Sequence, residues 1–537
     1  MTLAVLTASE MKDVESWTQQ ECGLTESQMI AQAGQVIFNT ARSLHSSYAC
    51  PSRKPWIFIC GKGHNGADGL QCALLAMAEK YRVKVFQIYA AKGYSPETKL
   101  LQDQFKKLNK KIHIIKNEKD FIIPEDAALI IDGLLGAGIT READSLIAHC
   151  IHKINNSFVP TLSIDIPSGM YTDSSHVHLW VNPLATICLG TPKISSQFHP
   201  TRKAYGRIYF DTLCFPQKKL HAQTSPLKLF RREDAIEIYP LRPYDAHKYR
   251  VGKVLVIAGS LGMHGAAIMT AQSALKAGAG LVKLAVPGGI RGEVCRHTLE
   301  VITIPVGSAL HKVSAVSENG GNQHIGCFTS SHCQELSESI EWADAVVLGP
   351  GLGKNKETVK FLCKLIPQIN KPLVVDGDGL QFFNPELSTA YKKTKTAFPN
   401  IICTPHGGEF KRMGGVNQYD QPLEHINNIR SLAVQLKTNV LWKGPTSLFA
   451  SDKGTCTMLP SGSPGLATAG TGDVLAGILG AFMCLLNHKN AVGLAAYIHS
   501  TTANFAGRKT GMLSMTASDV IAHIHLAMKE LESEKIN

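Results

Sequence analysis

Three acidic side chains each stand beside glycines at the end of an apolar run. That arrangement could move a proton or hold a cation against a ligand. Asp68 lies in Cys60-Gly61-Lys62-Gly63-His64-Asn65-Gly66-Ala67-Asp68-Gly69, Asp132 opens Asp132-Gly133-Leu134-Leu135-Gly136-Ala137-Gly138, and Asp165 opens Asp165-Ile166-Pro167-Ser168-Gly169. A fourth, Asp473, lies in Ala469-Gly470-Thr471-Gly472-Asp473-Val474-Leu475-Ala476-Gly477. Carboxylates can accept and return protons, and glycines let backbone N–H groups approach phosphate. Any one of these acids is explained equally well as a helix cap or turn carboxylate. Three at corresponding strand ends favour a ligand site, because ligands bind open α/β sheets at that edge.

Gly61-x-Gly63-x-x-Gly66 formally matches a dinucleotide-binding turn. The acid that would hold a ribose at the next strand end is replaced by Gln87-Ile88-Tyr89-Ala90, which argues against a standard NAD-dependent dehydrogenase. Around Asp473, small residues would expose backbone N–H groups where a helix begins, a cradle for phosphate oxygens. Ser461 to Gly465 leads into it, and Lys443-Gly444-Pro445-Thr446-Ser447 could bring a lysine and hydroxyls to the same phosphates. Gly349-Pro350-Gly351-Leu352-Gly353 and Thr404-Pro405-His406-Gly407-Gly408-Glu409 also follow apolar runs. A Walker A lysine motif is lacking, so a P-loop NTPase is disfavoured.

To position these loops the chain needs buried strands. The apolar runs suited to them are Trp56–Cys60, Lys84–Tyr89, Ala128–Ile131 and Thr161–Ile164, then Val254–Ala258, Leu281–Val286, Ala345–Leu348, Leu373–Val375 and Ile401–Cys403. Helical spacing lies between them, as in Leu70, Ala73, Leu74 and Met77, and over Ala266–Ala277. Strands alternating with helices predict parallel sheets covered on both faces. Pro216, Pro226, Pro240 and Pro243 punctuate the stretch between, read as an interdomain connection. The expected domains are 1–217 and 246–530, with a linker at 218–245.

At 537 residues the chain is too long for one ordinary core. Its 44% apolar and 18% charged residues suit a globular protein. The longest apolar stretch, Val474 to Leu486, is too short to span a bilayer, and the N-terminus does not read as a secretory signal. Fourteen irregularly spaced cysteines suit free thiols in a reducing cytoplasm. The net charge of +12 is scattered, without an aromatic-basic module, so it fits polyphosphate ligands better than nucleic acid. No nucleic-acid or membrane partner is expected.

The residues from about Met11 to Phe215 resemble the YjeF N-terminal domain, an NAD(P)H-hydrate epimerase, by the three linked motifs around Asp68, Asp132 and Asp165. Two positions depart from its loop: His64 replaces an Asn and Ala67 a Gly. The family's usual acid near Gly34 is also absent from Ile30-Ala31-Gln32-Ala33-Gly34. From about Tyr244 to His525 the chain is similar to the ribokinase-like, ADP/ATP-dependent NAD(P)H-hydrate dehydratases. The likeness runs through His247-Lys248, Gly252 to Ser260, Gly265-Ala266-Ala267, Ala277 to Val282, Gly349 to Gly353, Thr404 to Glu409, Lys443-Gly444 and Gly470 to Gly477. Here Gly407 stands for a Pro, Tyr249-Arg250-Val251 replaces a shorter turn, and Ser308 to Ile325 reads as an expanded surface loop.

The resemblance implies two doubly wound α/β domains, Rossmann-like and then ribokinase-like. It implies hydrate binding by His64, Asn65, Gly66, Ala67, Asp68, Gly136, Ala137, Gly138, Ile139, Thr140, Arg141, Glu142 and Asp165, and potassium binding by Asn65, Asp132 and Ser168. In the second half it implies hydrate binding by Ala266, Gly353, His406 and Asp473, and nucleotide binding by Lys443, Gly444, Pro445, Thr446, Ser447 and Gly472. The catalytic residues would be Asp165 and Asp473, with Mg²⁺ accompanying ADP or ATP. The substrates would be NADHX and NADPHX, handled by a cytoplasmic homo-oligomer. Two other readings are a small-molecule kinase of the hydroxyethylthiazole or hydroxymethylpyrimidine type, and an N-terminal domain that binds ligand without catalysis.

Overall fold

The computed structural model describes residues 2–47, 54–90, 93–139, 142–176, 179–221, 227–307, 326–387, 398–460 and 462–536. Thr140, Arg141 and the loop at 308–325 lie outside the described residues. The chain divides into two compact units, Leu3–Leu227 with Gln418–Leu423, and Lys228–Asn417 with Glu424–Asn537 and the first two residues. Among the described residues no helix is long and apolar enough to cross a membrane.

In the first unit seven strands lie in the order Ile112–Ile115, Val83–Ile88, Trp56–Cys60, Leu129–Gly133, Thr161–Ile164, Ala185–Leu189, Arg207–Asp211. Every neighbouring pair is parallel. Trp56–Cys60 is fully buried, as expected of a strand covered on both faces. The helices Glu26–Ser47 and His64–Ala78 pack on one face with Ile37, Phe38, Leu70 and Ala73, and Ser145–Asn156 covers the other with Ile147, Ile151 and Ile154. Gly34 permits the close helix contact, since a Cβ there would stand 2.4 Å from Gln71 Cγ. The chain leaves Trp56–Cys60 toward one edge and returns at Leu129–Gly133 on its other side. The reversal in strand order opens a crevice at the carboxyl ends of these two strands.

The second unit repeats the device in another sheet. Its order runs Cys456–Met458, Leu448–Ala450, Asn439–Trp442, Ile401–Cys403, Leu373–Val375, Ala345–Leu348, Lys253–Ile257, Leu281–Pro287, Ile302–Val306. Pairing is parallel from Asn439–Trp442 through Ile302–Val306, and the first two strands are antiparallel. The switch point lies between Lys253–Ile257 and Ala345–Leu348. Helix Thr471–Met483 buries Val474, Leu475, Ile478, Leu479 and Phe482 in this core. At roughly 1.5–3 kcal/mol per large apolar side chain, that face anchors the helix firmly.

The stretch expected as a linker carries structure. Gln217–His221 and Arg232–Ile238 are helical and Leu227–Leu229 is a strand. Phe230, Ala235 and Tyr239 are buried in the second unit's core. Pro216 directly precedes the first of these helices and Pro240 follows the second, so both sit at element ends. The thirteen described cysteines are all free.

Candidate active sites

The first crevice is built by loops that only glycine allows to meet. A Cβ on Gly61 would stand 2.0 Å from Leu134 O, and one on Gly66 2.2 Å from Gly61 O. Gly61 N–H donates to Gly133 O at 2.9 Å, locking the loop after one strand to the loop after its neighbour. Asn65, in the first turn of helix His64–Ala78, donates its amide to Leu135 O (2.7 Å) and Ile164 O (3.2 Å). Asn65 thus ties together all three motifs read from the sequence. Gly136 lies against it, since its Cβ would be 3.0 Å from Asn65 Cβ.

Asp132 is fully buried. It accepts from Ser168 Oγ (2.6 Å) and N–H (3.0 Å), from Ser163 Oγ (2.7 Å) and from Leu134 N–H (3.2 Å). Burial raises its carboxyl above the usual range against those hydrogen bonds. Asp165 holds φ of +64°, a backbone conformation rare for a residue with a side chain. Its Oδ1 takes Lys193 Nζ at 2.8 Å and Leu189 N–H at 3.1 Å. Burial lowers and Asp165 raises the affinity of Lys193 for its proton, and the net shift is upward.

Around this pair gather more acids. Burial, then Asp165, Glu15 and Glu26, raise Asp68 well above the carboxylate range. Glu15 is raised by burial as well. His64 Nε2 stands 3.0 Å from Glu26 Oε1, so the altered loop residue faces this acid across the helix ends. Ala67 is fully buried in the apolar core, so its methyl packs the helix instead of facing a ligand. Ala137, Gly138 and Ile139 are partly or fully exposed on their loop, as is Glu142. Gln87 is buried and accepts from Gln102 Nε2 at 2.8 Å, so a ribose contact there is not available.

In the second unit Asp473 lies in the first turn of helix Thr471–Met483, whose N-cap Gly470 takes φ of +88°. Lys443 Nζ bonds Asp376 Oδ1 at 2.5 Å, and Thr404 Oγ1 donates to that same oxygen at 2.6 Å. A Cβ on Gly472 would stand 3.2 Å from Lys443 Nζ, which puts the glycine turn beside the ammonium. Burial first, then Asp376, push the Asp473 carboxyl up to about 7; Lys443 opposes this and Glu409 and Asp378 add to it. Asp378 accepts Gly353 N–H at 2.9 Å. Gly351 takes φ of +63° beside Ala266, whose Cβ would be 3.0 Å from a Cβ on the glycine. His406 caps the helix Gly407–Arg412, its Nδ1 accepting Gly408 N–H at 3.0 Å while its own N–H donates to Glu409. The turn Lys443–Ser447 joins two antiparallel strands. Gly444 lies under the Trp442 ring, Pro445 is exposed and Thr446 is buried.

The structure therefore draws Asn65, Gly136, Asp132, Ser168 and the loop of Asp165 into one crevice, and Lys443, Gly472 and Asp473 into another. Sequence reading missed Lys193, Glu15 and Glu26 in the first and Asp376 and Asp378 in the second. Gly190-Thr191-Pro192-Lys193 and Asp376-Gly377-Asp378-Gly379 each follow a strand, and that placement was the available signal.

The NAD(P)H-hydrate dehydratase family model matches residues 254–526, just over half of the 537. The YjeF-related protein N-terminus model matches residues 26–195. A bifunctional NAD(P)H-hydrate repair enzyme of Thermofilum pendens is 29% identical over 537 residues, spanning 99% of this chain and 97% of its own. The one of Moorella thermoacetica is 28% identical with the same coverage. That of Escherichia coli is 28% identical over 505 residues, 93% of this chain and 89% of its own. The chain belongs to the NAD(P)H-hydrate dehydratase family, in the bifunctional form that carries a YjeF-related N-terminal domain.

Proposed function

We propose that the chain repairs hydrated nicotinamide cofactors in two steps. The first unit interconverts the R and S forms of NADHX and NADPHX, and the second removes water from the S form at the expense of ADP or ATP. The observation that carries the second step is a carboxyl held near neutrality beside an ammonium and a glycine turn, at Asp473, Lys443 and Gly472. Hydroxide leaves poorly. Asp473 accepts the hydroxyl proton as a phosphoryl group transfers to that oxygen, and backbone N–H groups of Gly470 to Gly472 stabilise the phosphoryl charge. The ring nitrogen lone pair then expels phosphate. Lys443 to Ser447 bind the nucleotide and Ala266, Gly353 and His406 the hydrate; Mg²⁺ would accompany the nucleotide and neutralise phosphate charge.

In the first unit Asp165 takes the proton of the hydrate's hydroxyl, and configuration is lost and regained by ring opening and closure. His64, Asn65, Gly66 and Asp68, with Gly136 to Glu142, line that hydrate. Asn65, Asp132 and Ser168 suit a potassium ion: Ser168 Oγ lies 2.6 Å from Asp132 Oδ1 and 3.2 Å from Leu135 O, giving hard oxygen donors around a single carboxylate. The same reading puts the enzyme in the cytoplasm as a homo-oligomer. The deciding assay incubates each hydrate epimer with ADP or with ATP and follows the NADH absorbance band. Recovery of NADH supports the reading. A stable phosphorylated product without NADH would make the second unit a kinase instead.

A further inference from the structure

Asp165 presents its two carboxylate oxygens to different surroundings. Oδ1 is doubly engaged, by Lys193 Nζ at 2.8 Å and Leu189 N–H at 3.1 Å. Oδ2 has no hydrogen-bond partner among the described residues, on a side chain that keeps 14% of its surface exposed. Lys193 is almost fully buried, and its ammonium also donates to Leu189 O at 2.9 Å. The ammonium therefore bridges the end of strand Ala185–Leu189 to the acid at the end of strand Thr161–Ile164. Two donors on one oxygen fix the plane of the carboxylate and localise its interactions there. A buried ammonium on a long stem loses little further freedom when that geometry is used in a reaction.

We infer that Lys193 is a positioning residue for epimerisation: it clamps Oδ1 so that Oδ2 is the oxygen that exchanges a proton with the hydrate's hydroxyl. The inference rests on the epimerase reading of this unit. In the step, Oδ2 takes the hydroxyl proton as the C–O bond becomes a carbonyl and the C–N bond breaks. The electron pair goes to the ring nitrogen, which gains a proton from water. Closure on the other face of the aldehyde reverses each transfer, so no oxidant or reductant enters.

The test is a double-mutant cycle on the full chain, measuring R-to-S exchange of NADHX by chiral separation. Lys193→Met should lower kcat about 10²-fold, the lower range for one positioned proton-transfer group, with KM changed less than about threefold. Lys193→Arg, which keeps a donor and its charge, should recover most of that rate. In the Asp165→Asn background, Lys193→Met should cost nothing further, because its effect passes through Asp165. Additive losses, or a Lys193→Met chain with unchanged kcat, overturn the inference. Should Lys193→Met fail to fold, Lys193→Gln carries the same cycle. Absence of exchange in the unaltered chain would instead overturn the epimerase reading, and the inference with it.

Discussion

Asp473 lies in the first turn of a buried helix, where burial and three other acids act against its ionised form. Burial, the largest cause, and then Asp376 push its carboxyl up to about 7. An acid with a raised value keeps its proton until the pH passes that value, and only the ionised form can accept the hydroxyl proton. The dehydratase rate should therefore rise with pH through about 7 and level off above it. A pH profile of kcat/KM at saturating nucleotide checks this, and a limb near 4 would remove Asp473 from the role. Asp473→Ala should abolish nucleotide-dependent recovery of NADH while epimer exchange continues. The stability consequence has a definite sign. Between the unfolded value near 3.8 and the folded value near 7, the unfolded chain releases a proton that the folded chain retains, so stability falls as pH rises. Above 7 the full penalty is present. Asp473→Asn, which cannot ionise, should then unfold at higher denaturant than the unaltered chain at pH 8, by at most about 4 kcal/mol. No such gain is expected near pH 4. Of these neighbours the sequence disclosed Lys443 and Asp473, because each adjoins a glycine motif. Asp376 belongs to a short strand-end turn that resembles an ordinary cap, and only the fold sets it against Lys443.

At the scale of elements, helix Thr471–Met483 must deliver the glycine turn to the ammonium without moving. It does so by packing on helix His264–Lys276 with almost no gap: a Cβ on Gly477 would stand 2.0 Å from Ser273 Oγ and 2.2 Å from Thr270 O. The backbone oxygen cannot step aside as a side chain could. Gly477→Ala should cost about 1–3 kcal/mol by overpacking and should also raise KM for the nucleotide, since the whole helix is pushed from Lys443. Gly472→Ala meets only the flexible end of Lys443, at 3.2 Å. It should weaken nucleotide binding with little change in denaturant midpoint. Equal effects of the two substitutions on stability would contradict this division. The motif strands were legible because each is an apolar run of one buried segment. Ile112–Ile115, Arg207–Asp211 and Ile302–Val306 were not, since they are edge strands whose residues are half exposed and carry His, Arg, Thr or Pro. The linker reading failed for a related reason: Phe230, Ala235 and Tyr239 are too sparse to show a period, yet they pack into the second core.

For the whole molecule, the two sheets each open a crevice where the strand order reverses, and the proposed function gives one acid in each a separate role. On that reading Asp165, with the Lys193 ammonium on one oxygen, serves a reversible transfer, and Asp473, beside Lys443 and Asp376, serves an irreversible one. If the steps act in series on one substrate, a defect in the first must also be visible through the second. A mixture of both NADHX epimers should be converted completely to NADH by the unaltered chain with nucleotide, in a single phase when epimer exchange is fast. Asp165→Asn should give a fast phase that consumes the S form, then a slow one limited by uncatalysed inversion of the R form. Its fast-phase rate should equal that of the unaltered chain on pure S form, because Asp473 and Lys443 are untouched. Adding the Asp473→Ala chain, which retains only exchange, should restore the missing phase in trans without new contacts between the two activities. If the mixed variants failed to restore it while each kept its own activity, transfer of the hydrate between units would have to occur within one chain.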